Sequence, residues 1–279
     1  MENSLTGIDY SSLYFYIFYL VITLVFVVEL MIPKRALQQS FAVRWLNNIG
    51  LDVLAGYFLR FLVPIAGIDL ALRIEVKEFG LLNFSSLPML IKVIIGIFLL
   101  DLVAYISHRL YHRYLLLWRC HLVHHSDSSV DFTTHLRHHP FESLISLAIN
   151  LAVIAMLGIP ALAVFVYGLL AHVVSTFSHG NIVLSEQLDS FIRRFIITPD
   201  MHRVHHSVDK LETNSNYGIV FPWWDRLFNT YVAQPAKGHL DMKLGLDRFR
   251  DPRDLYIDRL LLQPFFKEPG QRVKPADDE

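Results

Sequence analysis

Cysteine is almost absent from this sequence: Cys120 stands alone among 279 residues. A single thiol excludes an intramolecular disulfide framework, a cysteine-held iron–sulfur cluster and a thiolate metal cage. Cys120 lies beside His121, which makes one thiolate ligand conceivable, but a lone cysteine among apolar neighbours ordinarily packs as a small hydrophobe. Charge is scarce too, at 18% of residues against 53% hydrophobic ones, and the formal net charge is −1. No basic stripe offers a footprint for nucleic acid, so nucleic-acid binding is set aside. The dinucleotide fingerprint GxGxxG is missing, as is a His-Pro-Gly-Gly haem module. No glutamate follows any histidine, which excludes the HExxH zinc-protease motif.

What fills the chain instead is apolar residues in long runs, with a mean hydropathy of +0.37. Residues 13–32 form twenty consecutive, mostly apolar positions, enough to cross a hydrocarbon core of about 30 Å. No small-residue cleavage site follows, so the run reads as a retained span. A weaker second span covers 51–72, interrupted by Arg60, Pro64 and Asp69, and a third covers 87–107. The stretch 143–178 is too long for one crossing, and Gly158-Ile159-Pro160 divides it into a helical hairpin. The expected fold is all-α, a multi-pass membrane bundle of four to five spans. The segment 33–49 carries Lys34, Arg35 and Arg44 without an acid, whereas Met1–Ser12 carries only Glu2 and Asp9. By the positive-inside rule this places 33–49, and with it residues 108–142 and 179–279, on the cytoplasmic side. Three regions are expected: spans at 1–100, a catalytic region at 101–231 containing the hairpin, and a cytoplasmic tail at 232–279. The end of that tail is charged and Pro-containing, as disordered segments are.

Fourteen histidines are the other surplus. All but His172 and His239 fall in three groups, at 108–125, 135–139 and 179–206. His172 reads as a core residue and His239 as a surface one. HRLYH places His108 and His112 four apart; HLVHH places His121, His124 and His125 at i, i+3 and i+4; HRVHH repeats that spacing at His202, His205 and His206. On a helix such residues share one face. Neutral imidazole binds zinc, copper, iron and nickel well. Eight imidazoles exceed the roughly four to six donors that one ion takes, so two ions are expected. His135, His138 and His139 spell HxxHH as well, and spacing alone does not separate them from the others.

The order HxxxH, HxxHH and a later HxxHH resembles the fatty acid hydroxylase/sterol desaturase superfamily. The resemblance runs from Asp101 to Tyr231 and includes flanking residues: Leu117-Trp118, Ser126, Arg137, His139-Pro140 with Glu142, and His179-Gly180-Asn181. Further on it takes in Thr198-Pro199, Asn216-Tyr217-Gly218 and Trp224-Asp225-Arg226-Leu227-Phe228. It implies a cytoplasmic helical cap with metal ligation by His108, His112, His121, His124, His125, His202, His205 and His206. It adds His179, which follows the last span, as a ninth ligand. His139 matches a His-Pro position common in the family, as a tenth ligand or a group behind the ligands; His135 and His138 match nothing. Acids that back metal ligands fix their tautomers. Asp127, Asp131, Glu142 and Asp200 lie near the clusters, while Asp101 stands about 10 Å before His108 along a helix; for each, a solvated or structural role is the default.

The resemblance also implies two iron ions, with zinc an alternative occupant of the same cage, and O2 as co-substrate. The reaction would be hydroxylation of a C–H bond in a membrane lipid, with desaturation second. Sterol, sphingolipid, fatty acyl chain, alkylglycerol and carotenoid all stay open as substrates. With no cofactor motif of its own, the chain would draw electrons from a ferredoxin or cytochrome partner. The rival outside this class is a histidine-rich membrane metal transporter or metal-binding protein, which would need polar ligands inside the spans. A membrane cytochrome would pair histidines from two spans, and only His172 lies within one.

Overall fold

The structure is a computed structural model that describes residues 10–37, 39–63 and 66–266. Glu2, Asp9, Pro64 and the charged end of the chain, 267–279, lie outside the described residues. Helices dominate, and among the described residues the extended pairings are the isolated bridges Pro33–Ile182 and Ser207–Leu244. Five stretches are long and apolar enough to cross a membrane. They are α1 (Tyr10–Met31), then α2 (Phe41–Leu62) continued by α3 (Gly67–Val76), α4 (Met89–Arg113), α6 (Pro140–Leu157) and α7 (Ala161–His179), with α5 (Leu115–His125) between the third and fourth. Outward faces carry exposed Tyr16, Leu20, Leu24, Phe61 and Leu90. A water-soluble chain would bury such a surface, and lipid has no need to.

The hairpin forms where the sequence places it. Gly158 ends α6 in the left-handed conformation at φ 64°, where glycine carries no Cβ penalty. Gly80, at φ 99°, meets it so closely that a Cβ there would lie 2.3 Å from the Gly158 nitrogen. Two turns therefore lock together at the membrane end far from the histidines. Next to them, the α3 carboxylate of Glu75 accepts from the Ala161 amide at 2.9 Å. Gly96 of α4 lets the backbone approach Ala163 of α7, where an added Cβ would come within 2.9 Å. Leu100, Ile154, Ile159, Ala163 and Val174 fill the core between α3, α4, α6 and α7.

The second span departs from expectation. It starts at Phe41, ten residues before 51, and breaks after Leu62 before resuming at Gly67. Arg44 and Asn48 disguise its start, because polar residues in a span are normally excluded. Both are fully buried and paired. Arg44 donates to Asp127 at 3.1 and 2.7 Å and also to Asp131. Asn48 donates to Thr133 at 3.0 Å and accepts from Arg137 at 3.2 Å. Arg44 is thus no loop cation, and the charge count over 33–49 loses one of its three terms. The other two are engaged as well: Lys34 pairs with Asp200 at 3.1 Å, and Arg35 donates to the Met242 carbonyl at 2.9 Å.

The chain after α7 folds back over the same end of the bundle. Helices α8 (Glu186–Ile192) and α9 (Pro199–His205) come first, then shorter turns to Phe266. Leu260 is fully buried against Leu122 and Val123 of α5, and Ser126 donates to Gln263 at 2.8 Å. All three histidine groups meet at this one end.

Candidate metal centre

Each histidine motif is placed by a helix end. His108 and His112 sit on the last turns of α4. Tyr114 then leaves helical geometry at φ −104°, ψ 124°, and α5 turns back carrying His121, His124 and His125. The α9 helix begins with Thr198 capping the Met201 amide at 3.3 Å and Pro199 in its first turn. It presents His202 and His205, and His206 caps its end. His179 closes α7.

The rings form two adjoining groups. Each of His108, His112, His121, His125 and His205 offers a nitrogen within 4.8 Å of the others, and His124, His179, His202 and His206 do the same. The groups touch: the His125 and His206 centroids are 4.7 Å apart, and those of His205 and His202 are 5.2 Å apart. All nine histidines expected as ligands are therefore brought together.

Their protons decide what the arrangement can do. His108 Nδ1 donates to the Tyr217 carbonyl at 2.8 Å, His205 Nδ1 to the Ser215 carbonyl at 2.7 Å, and His121 Nδ1 to Glu142 Oε1 at 2.7 Å. That leaves each Nε2 with a bare lone pair. Yet His108 Nε2 lies 3.1 Å from His121 Nε2 and 3.0 Å from His205 Nε2. Three bare lone pairs cannot hydrogen-bond to one another. In the second group His179 Nδ1 donates to Ser175 at 2.8 Å, and its Nε2 faces those of His124 and His202 at 3.2 and 3.0 Å. Nitrogens bound about 2.1 Å from one ion, at angles of 90–109°, lie about 3.0–3.4 Å apart. The observed spacings are those of neighbouring ligands on a shared cation, and the donor set fits the group the sequence implies. The nitrogens of His125 and His206 are buried with no hydrogen-bond partner among the described residues, as expected of donors awaiting a metal. Burial first, and then neighbouring imidazoles, hold His124, His125, His202, His205 and His206 well below their ordinary pKa of 6.5. They are neutral, which is the ligand form.

The acceptors are fixed in turn. Asp225 accepts from the Tyr217 and Gly218 amides, both at 2.8 Å, and from Thr230 at 2.7 Å. This anchors the loop whose carbonyls hold His108 and His205. Gly218 has no room for a side chain, since a Cβ would lie 2.8 Å from Ile197 and 2.9 Å from Asp225. Asp101, inside α4, accepts from the Val220 and Phe221 amides and from the Trp224 indole at 3.1, 3.2 and 2.8 Å. Asp101 and Asp225 are thus structural anchors, Asp127 and Asp131 hold Arg44, and Asp200 pairs with Lys34 and Arg203. Asp127 would be raised by burial, but the Arg44 and Arg137 guanidiniums outweigh that and hold it down at about 2.

The 135–139 group separates here. His138, unassigned from sequence, stacks on His124 at 4.9 Å and donates to Glu142 Oε1 at 3.0 Å. Glu142 therefore serves two imidazoles, and its meeting with His121 and His138 reads as hydrogen-bonded support, because His121 already commits its Nδ1 proton there. His139 lies apart from both groups. Its Nδ1 accepts from the Phe141 amide at 3.2 Å, capping α6, and its Nε2 faces the Leu261 carbonyl at 3.3 Å. His135 turns to the Phe132 carbonyl and to Thr176. Burial pushes the Cys120 thiol up to about 11, with Glu142 adding to the shift, and its sulfur faces the Leu116 carbonyl away from the cluster. His239 is only 10% exposed at its side chain, 3.8 Å from Asp200, so it is no surface residue. His172 stacks on Phe18 in the bundle, as a core histidine should.

Below the rings a cavity of about 200 Å³ descends between α4, α6 and α7. His108, His121, His124, His179 and His202 form its roof, and Val103, Ala104, Asn150 and Ile219 line it farther down.

Comparison with known proteins meets this geometry. Residues 93–230 match the fatty acid hydroxylase family. The chain belongs to the fatty acid hydroxylase/sterol desaturase superfamily. It is 32% identical over 157 residues to an ornithine lipid hydroxylase of Rhizobium tropici, covering 56% of this chain and 46% of that protein. An alkylglycerol monooxygenase of Caenorhabditis elegans is 30% identical over 138 residues, covering 50% of this chain and 26% of that one. The human alkylglycerol monooxygenase is 27% identical over 139 residues, 49% and 30% of the two chains. The match thus spans less than half the length of these relatives. No solved structure matches the chain.

Proposed function

We propose that this chain hydroxylates a C–H bond of a membrane lipid, using O2 and two iron ions held by His108, His112, His121, His125 and His205 on one side and His124, His179, His202 and His206 on the other. One observation carries the reading: bare imidazole nitrogens converge at 3.0–3.2 Å over a cavity that opens between membrane helices. Iron bound there supplies the O2 activation and hydrogen abstraction that no side chain can perform. The balance is one C–H bond and one O2, with two electrons and two protons, giving an alcohol and one water. The electrons come from a ferredoxin or cytochrome partner, since the chain has no cofactor motif of its own.

The protein's own share is positional. Glu142 and the carbonyls of Ser175, Ser215 and Tyr217 hold the Nδ1 protons, which keeps each Nε2 free for metal. The cavity walls hold one carbon under the roof and exclude bulk water. Loss of two hydrogens instead of gain of oxygen, that is desaturation, is the second outcome of the same site. We place the site on the cytoplasmic side. Arg109, Arg113 and Arg119 cluster where α4 leaves the membrane at the histidine end, whereas the opposite loop offers Lys77 beside Glu78 and the 158–160 turn has no charge. Metal transport fits less well: His135, His138 and Glu142, which also line the cavity, adjoin the roof histidines, and the deeper lining at Val103, Ala104, Asn150 and Ile219 has no histidine or carboxylate to pass an ion along.

The test is lipid mass spectrometry of cells expressing the chain or its His124→Ala variant, with metal analysis of both purified proteins. The expected result is a lipid that gains one oxygen atom only with the unaltered chain, which holds two irons. Full activity in His124→Ala would refute the ligand assignment; an unaltered lipidome in both would refute the reaction.

A further inference from the structure

The cavity has a polar feature where a path for plain hydrocarbon needs none. Glu142, Ser146 and Asn150 recur every fourth residue on α6 and all line it. Asn150 is eight positions past Glu142, about 12 Å deeper along the helix, near the middle of the Pro140–Leu157 span. A carboxamide at that depth is costly unless something answers its donors and acceptor.

Other polar side chains find partners nearby. Asn47 and Asn83 donate to the carbonyls four residues back, at 2.7 Å each. Ser146 is bound to the Tyr111 hydroxyl at 2.8 Å. Asn150 makes neither kind of contact with any described residue, and its side chain faces the cavity that ends at the histidines. The wall around it is otherwise apolar, with Val103, Ala104 and Ile219, apart from the hydroxyls of Ser107 and Ser175.

We infer that Asn150 is a specificity-determining residue, and that the substrate is a lipid bearing a hydroxyl, ether or ester oxygen within its hydrocarbon part. The carboxamide donates to that oxygen and fixes how far the chain slides, which selects the carbon beneath the histidines. A saturated, unsubstituted chain leaves Asn150 unanswered. This rests on the cavity being the lipid site of the proposed reaction.

The test measures binding without turnover. The full metal-loaded chain in nanodiscs, with no electron donor, is titrated with octadecanoate and with octadecanoates hydroxylated singly along the chain. At least one hydroxylated probe binds tighter than octadecanoate by about 3- to 10-fold, the share of one neutral hydrogen bond. In Asn150→Leu that advantage disappears, so that no hydroxylated probe binds tighter than octadecanoate; Asn150→Ala serves where leucine does not fit. If no hydroxylated probe is preferred, or the preference survives both substitutions, Asn150 is merely hydrated and the inference falls. Lipid oxidation by the unaltered chain without such selectivity overturns this inference alone, whereas an unchanged lipidome overturns the reaction and leaves the binding preference to stand or fall by itself.

Discussion

Glu142 offers the sharpest test of how the imidazoles are prepared. Its Oε1 accepts from His121 at 2.7 Å and from His138 at 3.0 Å, with the carboxylate only 5% exposed. Hydrogen bonds to a charged acceptor contribute about 1.5–3 kcal/mol, against about 0.5–1.5 kcal/mol for neutral ones. Glu142→Gln keeps an acceptor but loses the charge, a difference of about 1–1.5 kcal/mol on the His121 bond. That corresponds to about tenfold weaker metal binding. Glu142→Leu removes the acceptor altogether. His121 is then free to move its proton to Nε2, which takes one lone pair away from the metal, and the loss approaches a hundredfold. The assay is competition for zinc, a redox-inert probe, against a chromophoric chelator, with metal per chain measured by atomic emission. Affinity in Glu142→Leu within about twofold of the unaltered chain would refute the reasoning, since supporting groups of this kind are worth at least about tenfold.

Three further outcomes follow from the same geometry. His139→Ala removes the α6 cap and costs about 1 kcal/mol of stability, with metal content unchanged; a lost metal would return His139 to the ligand set. Arg44→Met strands Asp127 and Asp131, whose side chains are fully buried, and costs about 3–5 kcal/mol in denaturant unfolding. Adding Asp127→Asn and Asp131→Asn should recover much of it, and a cost below about 1 kcal/mol for Arg44→Met alone would contradict the pairing. Third, the metal-free protein is acid-labile. Five histidines have folded pKa values well below 6.5, so unfolding takes up protons as pH falls below that value. Their contribution is complete above 6.5 and is lost on acidification, by up to about 1.4 kcal/mol each at pH 5.5, or about 7 kcal/mol for five. A melting temperature that stays flat from pH 7 to 5.5 would exclude neutral burial.

The convergence of the histidine motifs was legible in the sequence because α4, α5 and α9 turn an i, i+3, i+4 spacing into a direction. The 135–139 group has the same spacing and a different outcome, and Pro140 explains it. A residue before proline is driven out of helical geometry, and His139 stands at φ −67°, ψ 139°. Residues 132–136 form a tight 3₁₀ turn in place of an α-helix. Ring directions there follow the local turn, so His138 reaches His124 while His139 caps a helix and His135 faces elsewhere. Arg44 and Asn48 stayed hidden for a different reason: their partners at 127–137 are more than eighty residues away, and no local pattern announces a neutralised charge inside a span. The hairpin, set by Gly158 and Pro160, needed only local chemistry.

The residues flanking the histidine motifs acquire a physical reason from the same contacts. Asn216 adopts φ 51°, a conformation asparagine tolerates better than most residues, and its carboxamide ties to the Met201 and Val232 carbonyls at 2.9 and 2.8 Å. Asp225 holds the next two amides, and Gly218 leaves the space that this requires. Asp101 fastens the far side of the loop to α4, the helix that carries His108 and His112. The loop is thereby referenced to the helix whose histidine it orients, so Tyr217 and His108 move as one body. A bare nitrogen held this way meets its metal without first reorganising. Buried polar anchors cost folding energy, and here their return is a set of lone pairs that have no partner but a cation.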